Sequence, residues 1–262
     1  MSQEAVNDIA ITNKGVISSI KKYVKNLVEN VQVPAAKAKA KTQSKPYSST
    51  IESTTNDINE HTDSEEIASG KCGDNVNFSL YSDGELFIYG SGNMKGQLSY
   101  NGSPWYNRRN DIKSVVIKKG VTSIGNYAFD SCSKMTSVTI PESVTSIGIC
   151  AFEYNNILSS INIPNEVTYI GNNAFYCCFE LMYFKLPNGI TSISGHTFYS
   201  CRKLSSIIIP ESVDSINRYA FFMSGLTSIF IPKSVVSIGS AAFAGCSKME
   251  AINVSVENQN YP

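Results

Sequence analysis

The apolar residues of this chain recur with one spacing from residue 121 onwards. Val, Ile, Phe and Leu return at the same places in six consecutive units, and polar residues fill the positions between them. The units begin at Val121, Val144, Val167, Ile190, Val213 and Val235, which are 23, 23, 23, 23 and 22 residues apart. A fixed period of this size predicts a solenoid, in which each unit is one coil and successive coils stack. A single unit has too few apolar side chains to fold alone, so each coil has to supply the core of its neighbour.

Each unit combines a turn segment with a predicted strand. The turn segment follows the pattern V-T-S-I-G-x-x-A-F and places one phenylalanine in every unit: Phe129, Phe152, Phe175, Phe198, Phe221 and Phe243. The strand follows the pattern L-x-x-L-x-L, as in Leu181, Phe184 and Leu186, and it ends at a proline in most units. Proline has no N–H group, so it cannot continue a hydrogen-bonded ladder and the chain turns there. We therefore expect a continuous parallel sheet, with the phenylalanines in the core.

The segment before the repeats has the pattern of a β-hairpin. Residues 76–81, VNFSLY, and residues 85–90, ELFIYG, alternate apolar and polar side chains on either side of the turn sequence SDG. Trp105, the only tryptophan, follows this segment, and we expect it to cover the apolar end of the first coil. We assign residues 71–118 to an N-terminal β cap and residues 119–262 to the solenoid.

The first 70 residues have a different character. Residues 14–33 place apolar side chains at helical spacing, and residues 14–45 contain eight lysines and one acid. We predict an amphipathic basic helix within residues 1–34. It is either a solvated or self-associating helix, or a segment for a membrane surface or a coiled coil. Residues 35–70 are rich in Lys, Ala, Ser, Thr and acids without apolar periodicity, which predicts a disordered linker.

Composition narrows the range of functions. Lys+Arg and Asp+Glu are equal at 22 each, and a net charge of zero argues against nucleic-acid binding, which usually needs a basic excess. The sequence has no apolar run of about 18 residues and no N-terminal signal pattern, so it predicts neither a transmembrane helix nor a secretion signal. Contact with a membrane is therefore expected only through the basic helix of residues 1–34.

The repeats resemble a known family. The L-x-x-L-x-L strands joined to V-T-S-I-G-x-x-A-F-x-x-C turn segments are similar to those of BspA-like leucine-rich-repeat proteins, and residues 72–109 resemble the cap that often precedes such repeats. The resemblance covers residues 72–262. It implies an α/β repeat solenoid, right-handed and curved, with the parallel β-sheet on the concave face and helical turns on the convex face. It also implies a surface antigen or adhesin, located at the cell surface or secreted.

Candidate chemistry is scarce in this sequence. A column of small residues lies three positions after each phenylalanine: Cys132, Asn155, Cys178, Cys201, Ser224 and Cys246. Ser and Asn in this column indicate a packing slot with buried thiols rather than a metal site, because ligands stacked in line do not surround an ion. A disulfide between Cys178 and Cys201 is the alternative. His196 is expected to be an exposed turn residue, and no triad pattern surrounds it, so we predict no catalytic residues, no metal, no cofactor and no enzyme.

The strand positions between the core residues face outwards, and most of them are Ser, Thr or Asn. Four positions depart from this rule: Tyr183, Lys185, Ile208 and Phe230. An exposed aromatic and aliphatic patch with one cation is typical of protein contacts, but such residues also favour strands for their own sake. We predict a candidate binding patch for a protein or another macromolecule, with plain strand propensity as the alternative.

The last unit is expected to leave apolar surface open. Ile252, Val254 and a strand edge have no further repeat beside them in this sequence, which predicts a truncated product, a fragment, or self-association of two copies at this end. Two functions follow from the sequence. One is a non-enzymatic surface antigen or adhesin that binds through its concave sheet; the other is an intracellular interaction scaffold tethered through its basic N-terminal helix.

Overall fold

The computed structural model describes residues 64–97 and 99–261. The predicted helix of residues 1–34 and residues 35–63 of the predicted linker lie outside the described residues. Within them, the chain forms short strands joined by turns, and the one helical element is the 3₁₀ helix Tyr106–Arg108.

Antiparallel strands precede the repeats. They are β1 (Glu66–Lys71), β2 (Val76–Tyr81) and β3 (Glu85–Gly90), followed by the two-residue β4 (Gly92–Asn93). β2 and β3 pair antiparallel, with Val76 opposite Gly90 and Leu80 opposite Leu86. Gly84, in the turn between them, has a φ of 95°, which a residue with a Cβ rarely adopts. The predicted hairpin is therefore confirmed.

Strand β1 corrects the boundary of the predicted linker. Residues 66–70 lie inside the predicted disordered segment of residues 35–70, but they pair with β2, with Ala68 opposite Leu80. The side chains of β1 are largely exposed, and only Ile67 and Ala68 pack against the core. The order of this edge strand comes from backbone hydrogen bonds rather than from an apolar pattern, which is why the sequence does not reveal it.

The L-x-x-L-x-L segments form the first of two parallel ladders. Its strands are β5 (Ser114–Ile117), β7 (Ser137–Thr139), β12 (Ser228–Ile231) and β14 (Ala251–Val254). β3 pairs with β5 and β5 with β7, so the first ladder continues the sheet of the hairpin. β12 pairs with β14. Between β7 and β12, a parallel bridge joins Ser160 to Tyr183. The predicted parallel sheet is confirmed at both ends of the array, but the prediction that it is continuous is wrong, because the Ser160–Tyr183 bridge is the one pairing of this ladder in the described coils between β7 and β12.

The turn segments form a second parallel ladder, which the sequence pattern did not predict. Its strands are β6 (Val121–Ile124), β8 (Ser146–Ile147), β9 (Tyr169–Ile170), β10 (Ser192–Ile193), β11 (Ser215–Ile216) and β13 (Ser237–Ile238). They lie in the orders β4-β6-β8-β9 and β10-β11-β13, and the isoleucines of paired strands lie side by side. The repeats therefore form a β-solenoid of about six coils.

The predicted α/β class is wrong, because no α-helix occurs in residues 64–97 and 99–261. The coil turns donate their backbone N–H groups to the next coil instead, as Phe129 N does to Ala151 O and Phe152 N to Ala174 O, both at 2.9 Å. We number the coils 1 to 6 in chain order, beginning with the unit that starts at Val121. Each turn also contains left-handed residues, such as Ser131 in coil 1 with a φ of 57°. A left-handed residue interrupts the helical path, so the i to i−4 bonds of a helix do not form.

A column of stacked rings runs through the core. The buried rings are Phe129, Phe152, Phe175, Phe198 and Phe221, followed by the partly buried Phe243. Neighbouring ring centroids lie between 5.3 and 5.8 Å apart. Trp105 extends the column, because its ring stacks on Phe129 at 5.7 Å and its indole N–H donates to Ala128 O at 2.8 Å. The predicted position of Trp105 is confirmed.

The residues after the last coil contact it through Asn258. This buried side chain donates its amide N–H groups to Pro232 O at 2.9 Å and Val235 O at 3.0 Å. Asn258 lies 23 residues after Val235, so a polar side chain occupies the place that Val or Ile holds at the start of each coil. Ile252 in β14 is exposed, and the expected association of two copies at this edge stays a prediction.

Candidate binding faces

The outward side chains of the first ladder form a surface that we call the strand face. The four predicted patch residues, Tyr183, Lys185, Ile208 and Phe230, are all exposed. Their chain neighbours Phe184, Ile207 and Ile229 are buried in the core. Buried and exposed side chains therefore alternate along these segments, so that the patch residues face outwards while their neighbours pack in the core.

Three of the four patch residues share one column of the strand face. Lys185, Ile208 and Phe230 are 23 and 22 residues apart and take the same position in successive coils. Tyr183 lies in the neighbouring column, beside Ser160 of the preceding coil. The exposed fractions of Tyr183, Ile208 and Phe230 are 53%, 64% and 45%, so each presents substantial apolar area to solvent.

Lys185 forms the polar end of this patch. It lines a shallow depression together with Glu142, Asn162 and Glu166 of the two preceding coils. The strand face thus passes from carboxylates, through one ammonium group, to an apolar surface. An apolar centre beside charged groups is the usual composition of a protein contact surface.

The outer side of the coil turns carries a second surface, which the sequence analysis missed. We call it the turn face, and it comprises residues 126–134, 149–157, 172–180, 195–203, 218–225 and 240–248. Four of its rings form an aromatic stripe, Tyr154, Tyr176, Tyr199 and Phe222, with successive centroids 5.5, 4.6 and 4.8 Å apart. The sequence signal was present in A-F-Y, T-F-Y and A-F-F, where a second ring follows the core phenylalanine.

The sequence predicts that His196 is exposed, and this prediction is wrong. The residue is half-buried on the turn face. Its ring lies 5.0 Å from Tyr219 and 5.9 Å from Tyr199. Burial, and then the positive charge of Arg218, lower the pKa of the imidazole. A triad carboxylate would stabilise the charged imidazolium, whereas this environment favours the neutral ring.

The column of small residues is a slot for hydrogen-bond donors. Cys178 Sγ donates to Phe152 O and Cys201 Sγ to Phe175 O, both at 3.2 Å, and Asn155 Nδ2 donates to Phe129 O at 2.9 Å. All seven cysteines are buried and free. Burial raises the pKa of the Cys178 and Cys201 thiols well above the usual range. The prediction of buried thiols in a packing slot is confirmed.

A polar cluster on coils 1 to 3 holds a buried thiol whose surroundings do not activate it. Asn173 donates to Cys150 Sγ at 3.6 Å, and Glu153 and Tyr127 interact with the same thiol. Burial raises the pKa of Cys150 to about 12 and raises that of Glu153 as well. A nucleophilic cysteine needs a lowered pKa, so this cluster has the opposite electrostatics.

Among the described residues, no group of three His, Cys, Asp or Glu side chains is placed to hold a metal ion. In the same part of the chain, no helix has the length and apolar character needed to cross a bilayer.

Comparisons with known proteins agree with this architecture. The sequence model described as "BspA type Leucine rich repeat region (6 copies)" matches residues 102–224 and 168–261. A leucine-rich repeat protein from Eubacterium ventriosum is 30% identical, with a TM-score of 0.53. A leucine rich cell surface protein from Faecalibacterium prausnitzii is 28% identical, with a TM-score of 0.60. The match to a leucine-rich repeat protein of T. pallidum, at 20% identity and a TM-score of 0.54, concerns the fold alone.

The extent of these matches differs between the chains. The first two cover 73% and 76% of this chain, and 45% and 57% of the other chain, so this chain spans about half the length of those proteins. The T. pallidum match covers 69% of this chain and 91% of that one. No curated protein matches the sequence. Since the family model extends over residues 102–261, more than half of the sequence, the chain belongs to the BspA-type leucine-rich repeat family.

Proposed function

We propose that this chain is a non-enzymatic repeat protein that binds another protein or macromolecule through its strand face, as a surface antigen or adhesin does. The observation that carries the proposal is the exposed patch of Tyr183, Ile208 and Phe230 beside Lys185. Ser, Thr and Asn occupy most other outward positions of the first ladder, so apolar exposure is concentrated in these coils.

The patch has the properties of a preorganised contact surface. The buried Phe184, Ile207 and Ile229 hold its backbone in place, so little order has to be gained on binding. Aromatic and aliphatic side chains supply contact area, and Lys185 supplies orientation and selectivity. By family resemblance, the strand face is the concave side of a curved right-handed stack, and the hairpin of β2 and β3 is its N-terminal cap.

The cellular role follows from the same family. One of the similar solved structures is described as a cell surface protein, and this supports the proposal that the present chain acts at a cell surface. The alternative, an intracellular scaffold tethered through its N-terminal helix, depends on residues 1–34, which lie outside the described residues.

Bead adhesion tests the proposed function. Beads coated with the full chain are incubated with intact mammalian and bacterial cells, and the attached beads are counted. We expect the wild-type chain to attach to at least one cell type, and the double variant Ile208→Ser/Phe230→Ser to lower attachment about tenfold, because it removes apolar contact area.

The matched control removes exposed apolar area elsewhere. Ile157 and Val236 are 44% and 57% exposed and lie outside the strand face. The double variant Ile157→Ser/Val236→Ser is expected to attach like the wild type. Equal attachment of both double variants, or wild-type attachment no greater than that of uncoated beads, rules the strand face out as the binding surface.

A further inference from the structure

The turn face carries two exposed apolar side chains in equivalent places. Tyr154 of coil 2 is 42% exposed, and Met223 of coil 5 is 48% exposed. Both residues have left-handed φ, and both donate their N–H group to the next coil at 2.9 Å, Tyr154 to Tyr176 O and Met223 to Ala244 O. They therefore lie in one column, one coil outside the central coils 3 and 4 on either side.

The aromatic stripe connects these two positions. Tyr176 and Tyr199 lie in coils 3 and 4, and their rings stack with centroids 4.6 Å apart and planes inclined by 16°. Each ring restrains the next, so the centre of the turn face presents ordered, half-buried aromatic edges. Contact with such rings costs little further side-chain entropy.

An ion pair spans the same midpoint. Lys203 of coil 4 donates to Glu180 of coil 3 at 2.5 Å, and the side chains are 51% and 40% exposed. Beside them, the Arg202 guanidinium lies 4.7 Å from the centre of the Phe179 ring. Charge of both signs is thus placed directly on either side of the boundary between coils 3 and 4.

We propose that the turn face is the interface of a two-fold homodimer, in which a second copy packs antiparallel with the axis between coils 3 and 4. Coil 1 then lies opposite coil 6, coil 2 opposite coil 5, and coil 3 opposite coil 4 of the second copy. Tyr154 faces Met223 of the second copy, and Met223 faces its Tyr154, a sulfur–aromatic contact made twice. The two Glu180–Lys203 pairs meet head to tail, so each carboxylate lies between two ammonium groups.

Self-complementarity identifies a second copy of this chain as the occupant. A two-fold interface requires the partner of every group to lie at the symmetry-related place on the same surface. The exposed apolar pair and the ion pair both meet this requirement. The pairing of Lys134 in coil 1 with Lys248 in coil 6 does not meet it, since both are exposed and positively charged. These two lie at the ends of the interface, where solvent screens their repulsion.

Sedimentation velocity of the full chain tests the dimer. We expect the wild type to show a concentration-dependent monomer–dimer equilibrium. The variants Tyr154→Glu/Met223→Glu and Tyr154→Lys/Met223→Lys each place like charges opposite one another, and we expect each to sediment as a monomer. A 1:1 mixture places opposite charges together at both sites and restores the dimer at low salt. Both positions are more than 40% exposed, so these substitutions remove little buried contact from the monomer.

Two further variants fix the location of the interface. Lys134→Glu converts the unfavourable pairing with Lys248 into a favourable one and is expected to lower the dimer dissociation constant about threefold. Ile208→Glu/Phe230→Glu changes the strand face and is expected to leave the dimer intact. A monomeric wild type at the highest soluble concentration, dimers of both charged variants, or a mixture that stays monomeric overturns the proposal. These outcomes leave the proposed function untouched, because it depends on the other face.

Discussion

Left-handed backbone conformations occur at two positions in every coil turn, and most of the residues there are not glycine. The first column is Tyr127, Cys150, Asn173, His196, Tyr219 and Ala241, and the second is Ser131, Tyr154, Cys177, Ser200, Met223 and Gly245. Each non-glycine residue in this conformation costs about 1–2 kcal/mol. The backbone hydrogen bonds from each turn to the next coil offset this cost. Because the side chains are so varied, no glycine signal in the sequence indicates this geometry.

Ala241→Gly is expected to stabilise the fold. Ala241 has a φ of 56°, so glycine removes backbone strain at the loss of one half-buried methyl group. We expect a net gain of about 0.5–1 kcal/mol in the free energy of unfolding, measured by urea denaturation. The neighbouring Ala242→Gly is the control: Ala242 is buried with ordinary φ, and its loss is expected to cost about 1 kcal/mol. Equal signs for the two substitutions would contradict this account of the turns.

The column of small residues three positions after each phenylalanine shows which properties of a single position the sequence predicts. The shared small size of Cys, Ser and Asn correctly predicted burial. Their shared ability to donate a hydrogen bond was also present in the sequence. It becomes meaningful only when the acceptor is known, and the acceptor is the carbonyl of a phenylalanine in the preceding coil, as for Cys201 and Phe175. The sequence of such a column is therefore enough to predict that its residues are buried. Their hydrogen-bond partners can be assigned only once the fold is known.

Among the elements, predictability follows the length of the alternating pattern. β2 and β3 have six residues each with clear alternation, and their hairpin was predicted with the right ends. β1 has weak alternation and is an edge strand, so it was missed. The second ladder consists largely of two-residue strands, as in β8, which are too short to show a period. Its existence follows from the stacking of coils rather than from any one segment.

Trp105 joins the hairpin element to the first coil. Its ring contacts Phe78 at 5.1 Å and Phe129 at 5.7 Å, and its N–H donates to Ala128 O. Trp105→Phe keeps an aromatic ring and loses the donor, and we expect a loss of about 1–2 kcal/mol in unfolding free energy. Trp105→Ala also leaves a cavity, and we expect a loss of about 3–5 kcal/mol. Denaturation followed by far-ultraviolet circular dichroism measures both.

The exposed Tyr100 provides the control for this series. It is 60% exposed and lies in the same segment as Trp105. Tyr100→Ala is expected to change the unfolding free energy by less than about 0.5 kcal/mol. If Trp105→Ala is no more destabilising than Tyr100→Ala, Trp105 does not join the two elements.

In the whole described structure, the sequence predicted the strand face but not the turn face. The strand face follows from alternation once the L-x-x-L-x-L segments are recognised as strands, so Ile208 and Phe230 were placed outwards correctly. The turn face depends on the path of the turns. The ring of Tyr176 stacks on that of Tyr199 because left-handed residues give both turns the same non-helical path.

In a solenoid, a core substitution is expected to destabilise the neighbouring coils rather than the whole structure. Substitution of Phe175 tests this expectation. Its ring contacts Phe152 and Phe198 in the adjacent coils and Phe184 in its own, at 4.8–5.8 Å. Phe175→Ala is expected to cost about 3–5 kcal/mol. Because each coil contacts only its neighbours, the loss should be concentrated in coils 2–4. Hydrogen exchange with mass spectrometry is expected to show faster exchange in residues 144–212 and little change in β2 and β3.

The exposed Tyr183 supplies the control, because it lies in the same coil as Phe175 but outside the core. Tyr183→Ala removes an aromatic side chain from the surface of the same coil, and we expect amide protection to stay at the wild-type level throughout. If Phe175→Ala instead weakens protection equally from β2 to β14, the coils share one cooperative core. In that case stability is not a sum of neighbouring contacts. A response confined to coil 3 would equally contradict the stacking argument, since coils 2 and 4 would then not depend on the Phe175 ring for their own burial.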